Sequence, residues 1–277
     1  MKLQGFLPLI TYPDANSVTI ASAAVSIARQ LDAELHALTL EADIPAVSNA
    51  LSNLLMKLPD MIQEAEQLSA RRAAELLAAV RAAAAPESVL VTTNTVRGHL
   101  PILPELAAKH ARYHDISLIG WSDDNPATRM LAEAVVFGSG RPALLIPETL
   151  STIRLDHVAI AWDAGRAAAR ALADARPLLE RASAVSVLVI TDEKPLSAEA
   201  GKTLADNLQG LGLPARLQTC QLGGAGIAEA LQTGATGIGA DVLVMGGFGH
   251  SRLRDFVLGG ATEGVLANLK MPVLLSH

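Results

Sequence analysis

The chain has 277 residues, half of them apolar and only 3% aromatic, which suits two α/β units of about 130–150 residues with cores filled by Ala, Leu and Val. Its 22 basic and 28 acidic residues give a formal net charge of −6, a balance that disfavours non-specific binding to nucleic acid or to an anionic membrane surface. A single cysteine, Cys220, excludes an intrachain disulfide and fits a reducing cytoplasm.

From the N-terminus, Met1-Lys2-Leu3-Gln4-Gly5 lacks the basic stretch, apolar core and cleavage site of a signal peptide. No uncharged apolar run approaches the ~20 residues that span a bilayer. Short apolar runs then alternate with longer helical stretches, the rhythm of parallel strands joined by helices. Strands are expected at Phe6–Thr11, Glu34–Leu40, Ser88–Thr95, Ile116–Gly120 and Ala143–Ile146, with helices at Ser17–Gln30, Pro59–Ala84, Ile102–Arg112 and Ala127–Val136 between them. The order then repeats: strands at His157–Trp162, Val185–Ile190, Ala215–Gln221, Val242–Met245 and Val273–Leu275, helices at Arg166–Glu180, Ser197–Gln209, Gly226–Thr233 and Thr262–Leu269.

Three anchors support an internal repeat. Asp14 and Asp163 each follow a first strand; Asp115-Ile116-Ser117-Leu118-Ile119-Gly120 mirrors Asp241-Val242-Leu243-Val244-Met245-Gly246; and Arg141-Pro142-Ala143-Leu144-Leu145 mirrors Met271-Pro272-Val273-Leu274-Leu275. The reading is therefore two tandem doubly wound, Rossmann-like domains, residues 1–150 and 151–277, divided in the polar stretch Glu148–Ile153. One larger sheet is the alternative, but ten strands is large for a single open sheet.

The segment from Met245 to Thr262 carries the candidate chemistry. It follows a buried-strand run and leads into a helix, where open parallel sheets bind ligands. Gly246 and Gly249 permit a tight turn and close approach of backbone to a ligand. Gly259 and Gly260 start the helix, whose free amides can hold phosphate oxygens. His250, Ser251, Arg252 and Arg254 add donors or positive charge.

The spacing Gly246-x2-Gly249-x9-Gly259 is similar to the nucleotide loop of the universal stress protein family, Gly-x2-Gly-x9-Gly followed by Ser or Thr. Pro272-Val273-Leu274-Leu275 resembles that family's closing strand, and His157–Asp163 its first strand and acidic residue. The resemblance covers the second half and, more weakly, the first. It implies ATP or another adenine nucleotide, with or without Mg²⁺, bound in the second half, and two units about a pseudo-two-fold axis with their closing strands meeting there. Asp163 would lie near ribose or phosphates, Ile190 would meet adenine through its backbone, and Gly246, Gly249 and Gly259 would line the phosphate path. Gly260, next to Ala261, stands at the Ser/Thr position, leaving Thr262 or Ser251 to supply a hydroxyl.

In the first half, Asp123 stands where the second glycine should be and Glu133 thirteen residues after Gly120. This half is expected to have lost the nucleotide site. Gly201-Lys202-Thr203 lacks the strand and earlier glycine of a P-loop. His110 and His114 are read as a surface pair, Gly138-Ser139-Gly140 precedes a strand and is no nucleophile elbow, and no metal site is expected. The resulting functional expectation is a stress-response or signalling module whose nucleotide biases a partner contact, a homodimer among the options. A slow ATPase using Asp163 with Mg²⁺ and Arg252 or Arg254, and a nucleotide-free interaction protein with a relic loop, are the alternatives.

Overall fold

The computed structural model describes residues 2–45, 58–192, 198–247 and 260–277. The strands are β1 (Leu3–Ile10), β2 (Ala33–Ala42), β3 (Val91–Gly98), β4 (Ile116–Trp121), β5 (Ala143–Pro147), β6 (His157–Ala161), β7 (Ala184–Ile190), β8 (Ala215–Cys220), β9 (Val242–Gly246) and β10 (Val273–Ser276). The helices are α1 (Thr19–Gln30), α2 (Leu58–Glu87), α3 (Leu103–Ala111), α4 (Pro126–Gly138), α5 (Arg166–Asp174), α6 (Arg176–Leu179), α7 (Ala198–Gly210), α8 (Ile227–Gly237) and α9 (Gly260–Ala267).

Two boundaries differ from expectation for local reasons. The expected helix Arg166–Glu180 is broken into α5 and α6, because Pro177 has no N–H to continue the ladder. Strand β3 starts at Val91, not Ser88, because α2 continues through the Ala-rich run to Glu87 and Ser88 then turns with φ of 55°.

The strands form one sheet in the order β3-β2-β1-β4-β5-β10-β9-β6-β7-β8. All neighbours are parallel except β5 and β10, which run antiparallel with Leu144 opposite Leu274. Read outward from that pair, each half has the same order, so a pseudo-two-fold axis passes between them and the two closing strands meet on it. The two units meet through their closing strands as expected, and that pairing joins them into one ten-stranded sheet. Each unit alone would expose an apolar edge strand, a template for aggregation; the antiparallel pairing buries Leu144, Leu145, Val273 and Leu274 fully.

Helices cover both faces. The core on one face takes in Ile20 and Ile27 of α1, Leu76 and Val80 of α2, Leu178 of α6 and Leu204 of α7. The other takes in Leu103 of α3, Leu131 and Val135 of α4, Leu231 of α8 and Val265 of α9. The stretch between the halves is docked: Ile153 and Leu155 are buried, and the Gln30 amide of α1 donates to Ile153 O and accepts from Leu155 N.

The repeated Asp-Ile/Val signature has a structural role. Asp115 Oδ2 accepts from Gln4 N at 2.8 Å while Asp115 N donates to Gln4 O; Asp241 makes the same pair of bonds with His157. Each aspartate pins the first strand of its half to the fourth. Gln4 and His157 are therefore equivalent, and six residues on from each, Ile10 stands where the second half has Asp163. By the β1–β2 and β6–β7 registers, Leu40 stands where it has Ile190. Asp14, matched with Asp163 from the sequence, instead lies four residues beyond β1, after a cis Tyr12–Pro13 peptide.

Candidate functional site

In each half the connections part to opposite faces of the sheet beyond the carboxyl ends of two adjacent strands, β1 and β4 or β6 and β9. Such switch points are where doubly wound sheets bind ligands.

In the second half, Asp163 follows β6 and is exposed. Its Oδ1 accepts from Gly165 N at 2.7 Å, forming the turn that opens α5. Ile190 closes β7 and is half-buried against the α8–α9 side of the core. Gly246 closes β9. A Cβ there would lie 2.5 Å from Ala167 C and 2.6 Å from Ala168 N, so the glycine lets the first turn of α5 touch the strand. The sequence suggested a ligand-directed purpose for Gly246; the structure adds this packing one. Gly260 is the first described residue of α9, and a Cβ there would meet no atom of the described residues within 4 Å. Ala261 is half-buried, and Thr262 is 2% exposed, which leaves its hydroxyl out of solvent. The other expected residues, Gly249, His250, Ser251, Arg252 and Gly259, lie outside the described residues, as does Arg254. Asp163, Ile190 and Gly246 thus come together at the carboxyl ends of β6, β7 and β9, three adjacent strands.

One neighbour was not found from sequence. Arg129 of α4, in the first half, crosses to the first turn of α9: its Nη2 is 2.9 Å from both carboxylate oxygens of Glu263, and its Nε donates to Glu133. It offsets the negative charge beside the α9 N-terminus.

The first half is built differently. The β4–α4 connection is four residues, 122–125, whereas thirteen residues of sequence, 247–259, separate β9 from Gly260, the first described residue of α9, and 248–259 lie outside the described residues. Asn125 caps α4 by accepting from Ala127 N and ties the turn down by donating to Asp14 O. Asp123 accepts from Trp121 Nε1, and Glu133 lies inside α4, so neither belongs to a long loop. Glu148, read from sequence as part of a polar divide, turns inward. Its carboxylate accepts from Ser17 N and Asn16 Nδ2, and a Cβ on Gly120 would lie 2.5 Å from its Oε1. Burial pushes the Glu148 carboxyl up, opposed by those two hydrogen bonds.

The remaining sequence features resolve structurally. Gly201 sits inside α7, where a Cβ would strike Val189 Cγ2 at 2.5 Å, and Lys202 pairs with Asp206. The His110–His114 pair is not a surface pair: His114 is 9% exposed, stacks on Phe6 with ring centroids 4.9 Å apart and meets His36 edge-on. Among the described residues no His, Cys, Asp and Glu cluster could hold a metal ion, and no helix is long and apolar enough to cross a membrane.

No protein-family model matches the chain, and no curated protein matches it. Solved structures do. A universal stress protein from Archaeoglobus fulgidus DSM 4304 aligns over 98% of this chain and 95% of its own, with 15% identity and a TM-score of 0.66. A functionally unknown protein from Pseudomonas aeruginosa PAO1 aligns over 98% of this chain and 92% of its own, with 17% identity and a TM-score of 0.54. The chain has the tandem universal stress protein fold.

Proposed function

We propose that the second half binds an adenine nucleotide, ATP or a smaller relative, at the carboxyl ends of β6, β7 and β9. The observation that carries this is the contrast between the two switch points. The first is closed by a four-residue turn and an inward carboxylate, whereas the second keeps a glycine-rich run of thirteen residues in sequence between Gly246 and Gly260. In this reading Ile190 meets the base through its backbone and Asp163 the ribose or phosphates. Gly246, Gly249, Gly259 and Gly260 give the phosphates room beside the first amides of α9, and His250, Ser251 and Arg252 add donors. An exposed carboxylate such as Asp163 also suits a Mg²⁺ ion carried in by the phosphates. The chain then acts as a cytoplasmic stress-response or signalling module, its ligand biasing a contact with a partner protein or a second copy.

Calorimetric titration with ATP, ADP and AMP tests the reading, together with mass analysis of small molecules released from the purified, denatured protein. Micromolar binding that Gly249→Val abolishes without unfolding the chain is expected. Absence of binding below millimolar nucleotide would leave the glycine-rich segment a relic.

A further inference from the structure

The first half does not simply lose a site at its switch point. Beyond the carboxyl ends of β1 and β2 lies a groove of about 240 Å³, floored by Ile10, Leu40, Leu103 and Leu131, each no more than 6% exposed. Among its described lining residues Tyr12 alone carries an oxygen or nitrogen in its side chain. One wall carries two prolines, Pro101 within the 3₁₀ turn Leu100–Ile102 and Pro104 in the first turn of α3, which restrict the backbone there and reduce the ordering needed on binding.

The repeat gives this groove its meaning. Counted from the equivalent Gln4 and His157, Ile10 and Leu40 fall level with Asp163 and Ile190, but β1 is still paired at Ile10 whereas β6 has ended at Ala161. The longer β1 puts a buried isoleucine at a level where the second half carries an exposed acid, so this end of the first half is apolar. At the same switch point Glu148 already accepts from Ser17 N, and Asp14 and Asp123 stand exposed on the adjoining loops. A phosphate would meet carboxylates there instead of free amides.

We propose that this groove binds an uncharged aromatic molecule of one or two fused rings. A closed cavity of about 150 Å³ lined by Leu, Ile and Phe holds benzene, so an open groove of about 240 Å³ has room for one or two fused rings. The apolar floor supplies the affinity and the Tyr12 hydroxyl a single polar contact.

The test is calorimetric titration of the full chain with 2-naphthol and with 2-naphthyl phosphate. The expected result is a dissociation constant on the order of 10–100 μM for 2-naphthol, at least about tenfold weaker binding of the phosphate ester, and no competition by ATP. Ala127→Trp, at the start of α4, fills the groove and should abolish 2-naphthol binding. Met130→Ala, at an exposed rim position that cannot unfold the chain, should weaken it several-fold. Lack of 2-naphthol binding, equal binding of the ester, displacement by ATP, or indifference to both variants overturns the proposal. So does a concentration-dependent dimer that Ala127→Trp dissolves, since a second copy then fills the groove.

Discussion

At the first switch point the Glu148 carboxylate sits on the Ser17 amide beside Gly120; at the second, Gly246 meets the backbone of α5 and thirteen residues of sequence follow before Gly260. The strands on either side are arranged alike in both halves, down to the aspartate that pins the first strand to the fourth. Strand order and pinning are fixed by ladder hydrogen bonds, the two aspartate contacts and apolar packing, which tolerate little change. Loops beyond the strand ends lie outside that constraint and can exchange one chemistry for another.

The likeness of the two halves is most vulnerable at the seam. Leu274→Asp places a carboxylate in a fully buried β5–β10 pair and should cost about 4 kcal/mol or more by urea denaturation; retention of wild-type stability would mean the halves stand without the shared sheet. Next, Gly246→Ala should cost about 2–3 kcal/mol through overpacking against Ala167. Gly260→Ala, whose Cβ meets no atom of the described residues, should change stability by less than about 1 kcal/mol either way. Equal costs at the two glycines would refute the packing role given to Gly246. Glu148→Ala leaves the Ser17 amide and Asn16 Nδ2 without their acceptor and should cost about 2 kcal/mol. Inorganic phosphate should restore part of that loss in the variant and do nothing to the wild-type first half, read as a phosphate-dependent rise in melting temperature.

The smallest effect is one of pH. Burial, partly offset by the hydrogen bond to His110 O, holds the His114 imidazole below its ordinary value of 6.5; burial and then the charge of His114 do the same to His36. The folded chain keeps these rings neutral while the unfolded chain takes up protons. Stability is therefore full above about pH 6.5 and falls as the pH drops through that value toward the lower folded-state pKa. His114→Phe should flatten the slope between about pH 7 and pH 5.5; an unchanged slope would place the titration elsewhere.

Much of the architecture was legible because it is written locally. Leu118-Ile119-Gly120 and Val244-Met245-Gly246 declare buried strands with glycine exits, and the Ala-rich stretches declare helices closely packed on them. Gly246, Asp163 and Ile190, singled out through the family resemblance, lie at one end of the sheet. Arg129 beside Glu263, and Glu148 against Ser17, were not legible, because each joins residues more than 130 positions apart. No periodicity in either segment names the other. Asp14 and Asp163 both lie between the first strand and the first helix of their half, but β1 runs to Ile10 and the connection after it is longer, a difference in strand length that residue order did not show.

Residue order alone is enough to set two βα repeats and a glycine-rich connection retained in one of them, since burial period and turn chemistry act over a few residues. Long-range packing settles the rest: the repeats share one sheet, an internal carboxylate closes the first switch point, and an apolar groove lies beyond the carboxyl ends of β1 and β2. Those outcomes depend on which distant surfaces meet, and partner choice is settled by shape and register once the strands have paired.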